Sequence, residues 1–249
     1  MKVIIVGLGV QGRKRLAASG DDVVATVDPV AQGADYRSLD DVPNEEYEAA
    51  FVCTPNDPKV ELLRKLFDLG KNVLVEKPLL SDDADALTDL VNRRRRAGVV
   101  CYTAYNHRFE PNVVRLKRAV DTGILGRLYF SRLSYGNGTA RRVRESVWRD
   151  QGSGVLGDLG CHLLDMALML FGTIDTTYKI WQAARFENRS LDHVIFGTEG
   201  EPAVEMSVSW LNWRNVFSID VYGEKGSAHI NSLCKWGRST YTLRKRILP

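Results

Sequence analysis

The hydrophobic positions of this chain change their spacing near residue 105. Before that point they come in short runs: Lys2 to Val6, Val23 to Val27, Ala49 to Cys53, Val73 to Val75 and Val99 to Thr103. Runs of this length are too brief for helices and suit strands covered on both faces, as in a parallel sheet. The segments between them carry helical spacing. Arg13 to Ser19 reads as a helix, and Asp57 to Gly70 as another, with Val60, Leu63, Leu66 and Phe67 as its inner stripe. A third starts at an N-cap on Ser81, runs on through Leu87, Leu90 and Val91, and ends with Arg93 to Arg96 before Gly98. Cations in a last turn and a glycine beyond it are ordinary helix-ending features. Residues 29–46 are polar and hold at most a short element. Regular alternation of strand and helix predicts a doubly wound parallel sheet.

Beyond Tyr105 the alternation stops. A helix is expected from Asn112 to Thr122 and a strand from Leu128 to Tyr135. From residue 176 onward strands dominate. Val204, Met206, Val208 and Trp210 alternate with Glu205, Ser207 and Ser209, and Phe217, Ile219 and Val221 alternate with Ser218, Asp220 and Tyr222. Period-two alternation marks antiparallel strands with one buried face. Gly223 to Gly226 reads as a hairpin turn. The fold class is therefore α/β: a doubly wound parallel sheet over residues 1–104, then an α+β domain over residues 105–249 with a mostly antiparallel, open-faced sheet. Tyr222 on its outer face suggests packing against another subunit. The last strand, Thr240 to Leu248, has no successor, which suggests a shortened second domain or the end of its ordered part.

Composition narrows the function classes. With 44% hydrophobic and 26% charged residues, the 249-residue chain is not a disordered one. A net charge of +3 makes no case for nucleic acid or a membrane surface. No basic-then-apolar leader precedes Lys2, and no apolar run is long enough to span a bilayer. Cys53, Cys101, Cys161 and Cys234 lie far apart, without metal-ligand spacing. Three of them sit in apolar runs and read as buried thiols in a reducing, cytoplasmic setting.

The candidate chemistry lies in three stretches. The first, Gly7-Leu8-Gly9-Val10-Gln11-Gly12, follows a strand and opens a helix. That is the context in which such glycines bind a dinucleotide: Gly7 for the turn, Gly9 for backbone approach to a pyrophosphate, Gly12 for helix–strand packing. The helix N-terminus then faces the phosphates. Asp28, at the end of the second strand, is placed to accept both ribose hydroxyls of an adenosine and to disfavour the extra phosphate of NADP. NAD is the expected cofactor; Arg13, Lys14 and Arg15 either soften that preference or form a solvated helix face. The second stretch is Asn72 to Pro78, where Pro78 ends a strand and Lys77 stands at the strand's carboxyl end, the ligand end of open α/β sheets. The third is Gly152 to Asp165. It is apolar on nearly all sides apart from Asp158, His162 and Asp165, which share one helix face. Three polar groups on a buried stripe call for partners or a cleft. A histidine braced by a carboxylate one turn away suits a general base. A solvated lysine and a satisfied core histidine are the competing accounts of Lys77 and His162 taken singly.

Taken together, these stretches, with Thr54-Pro55-Asn56 and Asn106 to Pro111, resemble the Gfo/Idh/MocA family of sugar and cyclitol oxidoreductases over about residues 1 to 230. The resemblance implies a Rossmann domain and a second, open-faced domain that commonly forms homodimers or homotetramers. It implies a catalytic group of Lys77, Asp158 and His162, acting on a sugar-type small molecule. It implies cofactor contacts from Gly7, Gly9, Val10, Gln11, Gly12, Asp28, Thr54, Pro55, Asn56, Glu76, Lys77 and Pro78. Substrate contacts would come from Lys77, Asn106, Arg108, Trp148, Asp158 and His162. The family usually has histidine where Lys59 aligns, so a cofactor-side contact is expected to be missing or replaced there. Arg141, Arg142 and Arg144 would hold a nucleotide-sugar diphosphate if they face the cleft, and would be solvated loop residues otherwise. The expected activity is hydride exchange between a ring hydroxyl of a sugar, cyclitol or nucleotide sugar and nicotinamide. A non-catalytic dinucleotide-binding regulator and an NAD-dependent glycosidase would use the same residues.

Overall fold

Five parallel strands make the first sheet: β1 (Val3–Val6), β2 (Val23–Val27), β3 (Ala49–Val52), β4 (Asn72–Val75) and β5 (Cys101–Thr103), in the order β2-β1-β3-β4-β5. They belong to a computed structural model that describes residues 1–146, 149–173 and 177–247. The chain divides into two compact units, Met1–Ala104 and Tyr105–Pro249. In the first, β1 has β2 on one side and β3 on the other. The strand order therefore reverses at β1, and the turns after β1 and β3 flank the crevice where such sheets take ligands. Ile4, Ala50, Val52 and Val75 are fully buried beneath helices α1 (Val10–Ser19), α2 (Lys59–Asp68) and α3 (Ala84–Ala97).

Two local expectations change. The N-cap of α3 is Asp83, whose carboxylate accepts the Asp85 N–H at 2.9 Å; Ser81 lies two residues earlier and accepts the Asp83 N–H at 3.1 Å. Both are good capping residues, and the aspartate takes the cap because the chain turns helical at Ala84, two residues later than a Ser81 cap would have it. In α2, Leu63, Leu66 and Phe67 are buried as their spacing predicts, but so is Lys59, at 1% exposure. The arginine run closing α3 is used in part for ties: Arg93 bridges Asp89 and Asp68, and Arg94 reaches the Val99 carbonyl.

The second unit holds a seven-stranded sheet: β6 (Leu128–Gly136), β7 (Lys179–Ala184), β8 (His193–Thr198), β9 (Ala203–Ser209), β10 (Val216–Gly223), β11 (Gly226–Asn231) and β12 (Thr240–Lys245). Its order is β12-β11-β10-β6-β9-β8-β7, antiparallel throughout except for the parallel pair β6–β9. The β10–β11 hairpin turns at Glu224 and Lys225, as the glycines flanking them predict. One face is apolar and covered. Val204, Met206, Val208 and Trp210 are all at most 1% exposed and pack with α4 (Pro111–Asp121) and α6 (Cys161–Phe171). The stretch containing Arg141, Arg142 and Arg144 is not a loop but a short helix, α5 (Ala140–Arg144), held by buried Ala140 and Val143. Arg141 pairs with Glu145, and Arg144 reaches the Glu187 carbonyl. Among the described residues no helix is long and apolar enough to cross a membrane, and no group of three or more metal-ligating side chains occurs.

Candidate functional site

The glycine turn is shaped by close contacts that exclude side chains. Gly7 has φ +95°, and a Cβ there would lie 3.0 Å from the Cys53 carbonyl carbon and the Thr54 nitrogen. A Cβ on Gly12 would come within 1.8 Å of the Gly7 carbonyl oxygen. Gly9 differs: it is the N-cap of α1, and nothing lies within 4 Å of its Cβ position. Open space over Gly9, with first-turn N–H groups exposed behind it, is the cradle a pyrophosphate needs. Val10 is 73% exposed at the start of α1, and Gln11 is exposed beside it. Thr54, at the β3 end of the crevice, has a buried Oγ1 with no hydrogen-bond partner among the described residues. These features fit a dinucleotide.

Asp28 does more than the sequence suggests. Its Oδ2 accepts the Leu8 N–H at 2.7 Å, and its Oδ1 accepts those of Val30 and Ala31 at 2.9 and 2.8 Å. Burial alone would raise its pKa; these bonds and the Arg37 charge outweigh it, and the carboxyl sits below its ordinary value. With about four lone-pair sites on a carboxylate, three are taken by backbone, so Asp28 ties the glycine turn to the end of β2. A depressed folded pKa contributes stability above the unfolded value of about 3.9 and loses it as pH falls through the folded value. We expect urea unfolding to show wild type more stable than Asp28→Asn at neutral pH. The gap should close only in acid, below about pH 4.

The turn after β4 is held from two sides. The Glu76 carboxylate receives Arg15 of α1, Nη2 at 2.7 Å and Nε at 3.0 Å. The buried Lys59 Nζ donates to the carbonyls of Glu76, at 2.6 Å, and Pro78, at 2.5 Å. Between those carbonyls stands Lys77, half-buried, joined to Pro78 by a cis peptide bond. Asn56 completes the frame through both ends of its amide, with Nδ2 to the Leu80 carbonyl at 2.8 Å and Oδ1 from the Leu80 N–H at 3.0 Å. Of Thr54-Pro55-Asn56, it is Asn56 that supports the segment following Lys77. Lys59, standing where the family usually has histidine, anchors the turn through its backbone.

In the second unit a π turn, Leu156–Gly160, runs into α6. Such turns widen a helix locally and are frequent at functional sites. It carries half-buried Asp158, whose Oδ2 accepts the Trp210 indole N–H at 3.3 Å and lies 3.8 Å from Arg149. His162, 5% exposed, meets His107 with Nδ1 to Nδ1 at 2.9 Å. Asp165 takes a bidentate ion pair from Arg108, with contacts of 2.6 to 3.0 Å. The three polar residues of the stripe therefore each have a partner from elsewhere in the unit. Arg108, expected on substrate, is engaged by Asp165. Asn106 is exposed on the short 3-10 turn Asn106–Phe109, and Trp148 lies outside the described residues.

Aromatic rings surround the histidine pair. Tyr105 and Tyr135 lie 5.8 and 5.7 Å from His162, and Phe217 stacks on His107 at 5.6 Å. Burial pushes both tyrosine hydroxyls well up, Tyr135 further through Asp158, and the Lys235 ammonium is 3.4 Å from the Tyr135 hydroxyl. Sequence reasoning passed over His107, between two residues it singled out, and Tyr135, the one aromatic hydroxyl on the inward face of β6. Both signals were present: a histidine beside a proline-opened helix, and a polar tip in an apolar row.

Residues 1–105 match a family model described as an oxidoreductase family, NAD-binding Rossmann fold, and residues 113–229 match the GFO/IDH/MocA C-terminal domain. Levoglucosan dehydrogenase of Pseudarthrobacter phenanthrenivorans is 31% identical over 158 residues, 59% of this chain and 39% of that protein. Inositol 2-dehydrogenase of Rhizobium meliloti is 25% identical over 224 residues, 86% of this chain and 67% of that protein. The crystal structure of the WlbA dehydrogenase from Bordetella pertussis, in complex with NADH and UDP-GlcNAcA, superposes with a TM-score of 0.83. It is 19% identical, and the match covers the whole of this chain and 82% of that one. The chain spans from about a third to two thirds of the length of the curated relatives it matches. With one family's two domain models matching in succession, the chain belongs to the Gfo/Idh/MocA family, and residues 1–105 are its NAD-binding Rossmann fold.

Proposed function

We propose that this chain carries the catalytic residues of an NAD-dependent dehydrogenase acting on a ring hydroxyl of a sugar, cyclitol or nucleotide sugar. The observation that carries the reading is His162, a buried imidazole that enters α6 from a π turn and meets His107 through Nδ1. Held by the glycine turn, Asp28 and the Thr54 to Asn56 segment, NAD supplies the two-electron acceptor. In this reading His162 takes the hydroxyl proton. Lys77, on its doubly anchored turn, donates a hydrogen bond to the same oxygen and stabilises its growing negative charge. Asp158 binds a neighbouring hydroxyl or orients the substrate. The relatives act on an anhydrosugar and an inositol, and the WlbA structure holds a nucleotide sugar; these three classes define the panel to test. Exposed Ile180, Trp181, Tyr129 and Phe130 on β7 and β6 support self-association as a homodimer or homotetramer.

The test is NADH formation from NAD across that panel, with Lys77→Met beside wild type. We expect at least one substrate to be oxidised, and Lys77→Met to lower kcat by about 10²- to 10³-fold while NAD binding is retained. A Lys77→Met variant as fast as wild type overturns the reading. So does a protein that binds NAD and oxidises nothing in the panel. Cleavage of a glycoside without net NADH would assign the site to a hydrolase instead.

A further inference from the structure

We propose that Ser227, His229 and Asp220 form a second catalytic site, one that hydrolyses esters whose acyl part carries a negative charge. The site is independent of the dehydrogenase reading. His162 and His107 lie against Tyr135 and Phe217 on the covered face of the seven-stranded sheet, and the three residues stand on the other face.

Their placement follows from the strands. In β10 the buried Ile219 and Val221 alternate with Asp220 and Tyr222, and in β11 the buried Ala228 and Ile230 alternate with Ser227 and His229. Period two puts Asp220, Ser227 and His229 on the outer face together. Asp220 is directly opposite His229, and Tyr222 is opposite Ser227. His229 Nδ1 lies 2.6 Å from Asp220 Oδ1, and His229 Nε2 lies 2.8 Å from Ser227 Oγ. An ionised carboxylate can only accept, so the His229 Nδ1–H donates to it. The neutral ring then has its lone pair at Nε2, and the Ser227 hydroxyl donates to that nitrogen. Nucleophile, base and orienting carboxylate are each within hydrogen-bond reach of the next. Tyr222 meets the imidazole edge-on at 5.4 Å and stacks on Phe130 at 4.5 Å, which steadies the ring. A simple tie between β10 and β11 would need only the contact of His229 with Asp220. Ser227 adds nothing to such a tie, because it belongs to the same strand as the histidine.

Ser227 also lines a shallow cavity of about 360 Å³ with Tyr222, Arg244, Lys245 and Arg246. Arg244 is the residue paired with Ser227 across β11 and β12. Arg246 is held in part by the Glu224 carbonyl, at 3.2 Å. Three successive cations around one hydroxyl favour an anionic acyl group. The negative charge that develops on the ester carbonyl oxygen falls to the Arg244 guanidinium. In the first step Ser227 Oγ bonds to the carbonyl carbon, its proton passes to His229 Nε2, and the carbonyl π pair moves to oxygen. Collapse breaks the bond from carbon to the alkoxy oxygen, which takes the proton from Nε2 as it leaves. Water then attacks the acylated serine by the same route and frees the acid. The sum is ester plus water giving acid plus alcohol, with nothing oxidised or reduced.

The test uses the full chain, a serine-directed fluorophosphonate and two p-nitrophenyl esters, the neutral acetate and the anionic hemisuccinate. We expect peptide mass spectrometry to find the fluorophosphonate on Ser227, and Ser227→Ala to lose both that label and ester hydrolysis. His229→Gln and Asp220→Asn keep polar groups of similar size. Each should slow labelling by about 10²- to 10⁴-fold while the urea midpoint stays near wild type. Relative to its spontaneous rate, the hemisuccinate should be cleaved about fivefold faster than the acetate at low salt, and Arg244→Gln should erase that difference. Wild-type protein left unlabelled at Ser227 overturns the site, and so do equal labelling rates in wild type, His229→Gln and Asp220→Asn. Ester hydrolysis that survives in Ser227→Ala overturns it as well. Hydrolysis at Ser227 with no preference for the hemisuccinate overturns the anionic assignment.

Discussion

His162→Asn is expected to lower kcat for the sugar substrate by about 10²- to 10⁴-fold and to leave NAD affinity unchanged. The size follows from what the imidazole does. A secondary alcohol is a very weak acid, and without a positioned base its proton must leave to water as the carbon is oxidised. His162 is buried among Tyr105, Tyr135 and His107, so no bulk water takes its place. Asparagine keeps a polar group within reach of His107, which limits the structural disturbance, but an amide has no nitrogen able to take a proton at neutral pH. Binding should be spared because the glycine turn, Asp28 and the Lys77 turn all belong to the first unit. Steady-state kinetics and a separate NAD titration check both halves. A kcat within tenfold of wild type would remove His162 from the chemistry.

Gly12→Ala should destabilise the first unit by about 2–4 kcal/mol and weaken NAD binding at least about 10²-fold. The added methyl would lie 1.8 Å from the Gly7 carbonyl oxygen and 2.9 Å from its carbon, so backbone has to move. That backbone is fixed on the far side: Gly7 N–H donates to the Val27 carbonyl at 2.8 Å and Leu8 N–H to Asp28 at 2.7 Å. Moving the turn breaks the ties that shape the cradle. Gly9→Ala is the control. Its methyl meets nothing within 4 Å, so stability should stay within about 0.5 kcal/mol of wild type while the cofactor's approach is obstructed. Urea unfolding and NAD titration on the pair separate the two glycines. Equal stability for Gly12→Ala and wild type would show that the helix, rather than the turn, yields.

Both sheets were legible because hydrophobic spacing encodes burial directly, and the change near residue 105 marks where parallel strands give way to alternating ones. The glycine turn was legible because its constraint is local. What the pattern does not encode is which distant group answers a given polar side chain. Lys59 opens α2 beside charged neighbours and looks solvated, yet it is buried because two carbonyls 17 and 19 residues away converge on it. Arg108 looked available to substrate, and Asp165, 57 residues on, engages it. Asp150 and Asp192 carry no signal at all in the sequence. They collect the N–H groups of residues 186–190, Asp192 those of Phe186, Glu187 and Asn188, and Asp150 those of Arg189 and Ser190. In each case long-range closure, not periodicity, decides the outcome.

The Lys59 ammonium joins the carbonyls on either side of Lys77 through a single nitrogen. A neutral imidazole, with one N–H to offer, cannot span both. Helix α2 and the Lys77 turn are therefore mechanically one piece in this chain. A loop transplanted from a relative that carries histidine at this position would arrive without its brace, and chimaeras of the family should exchange the two segments together.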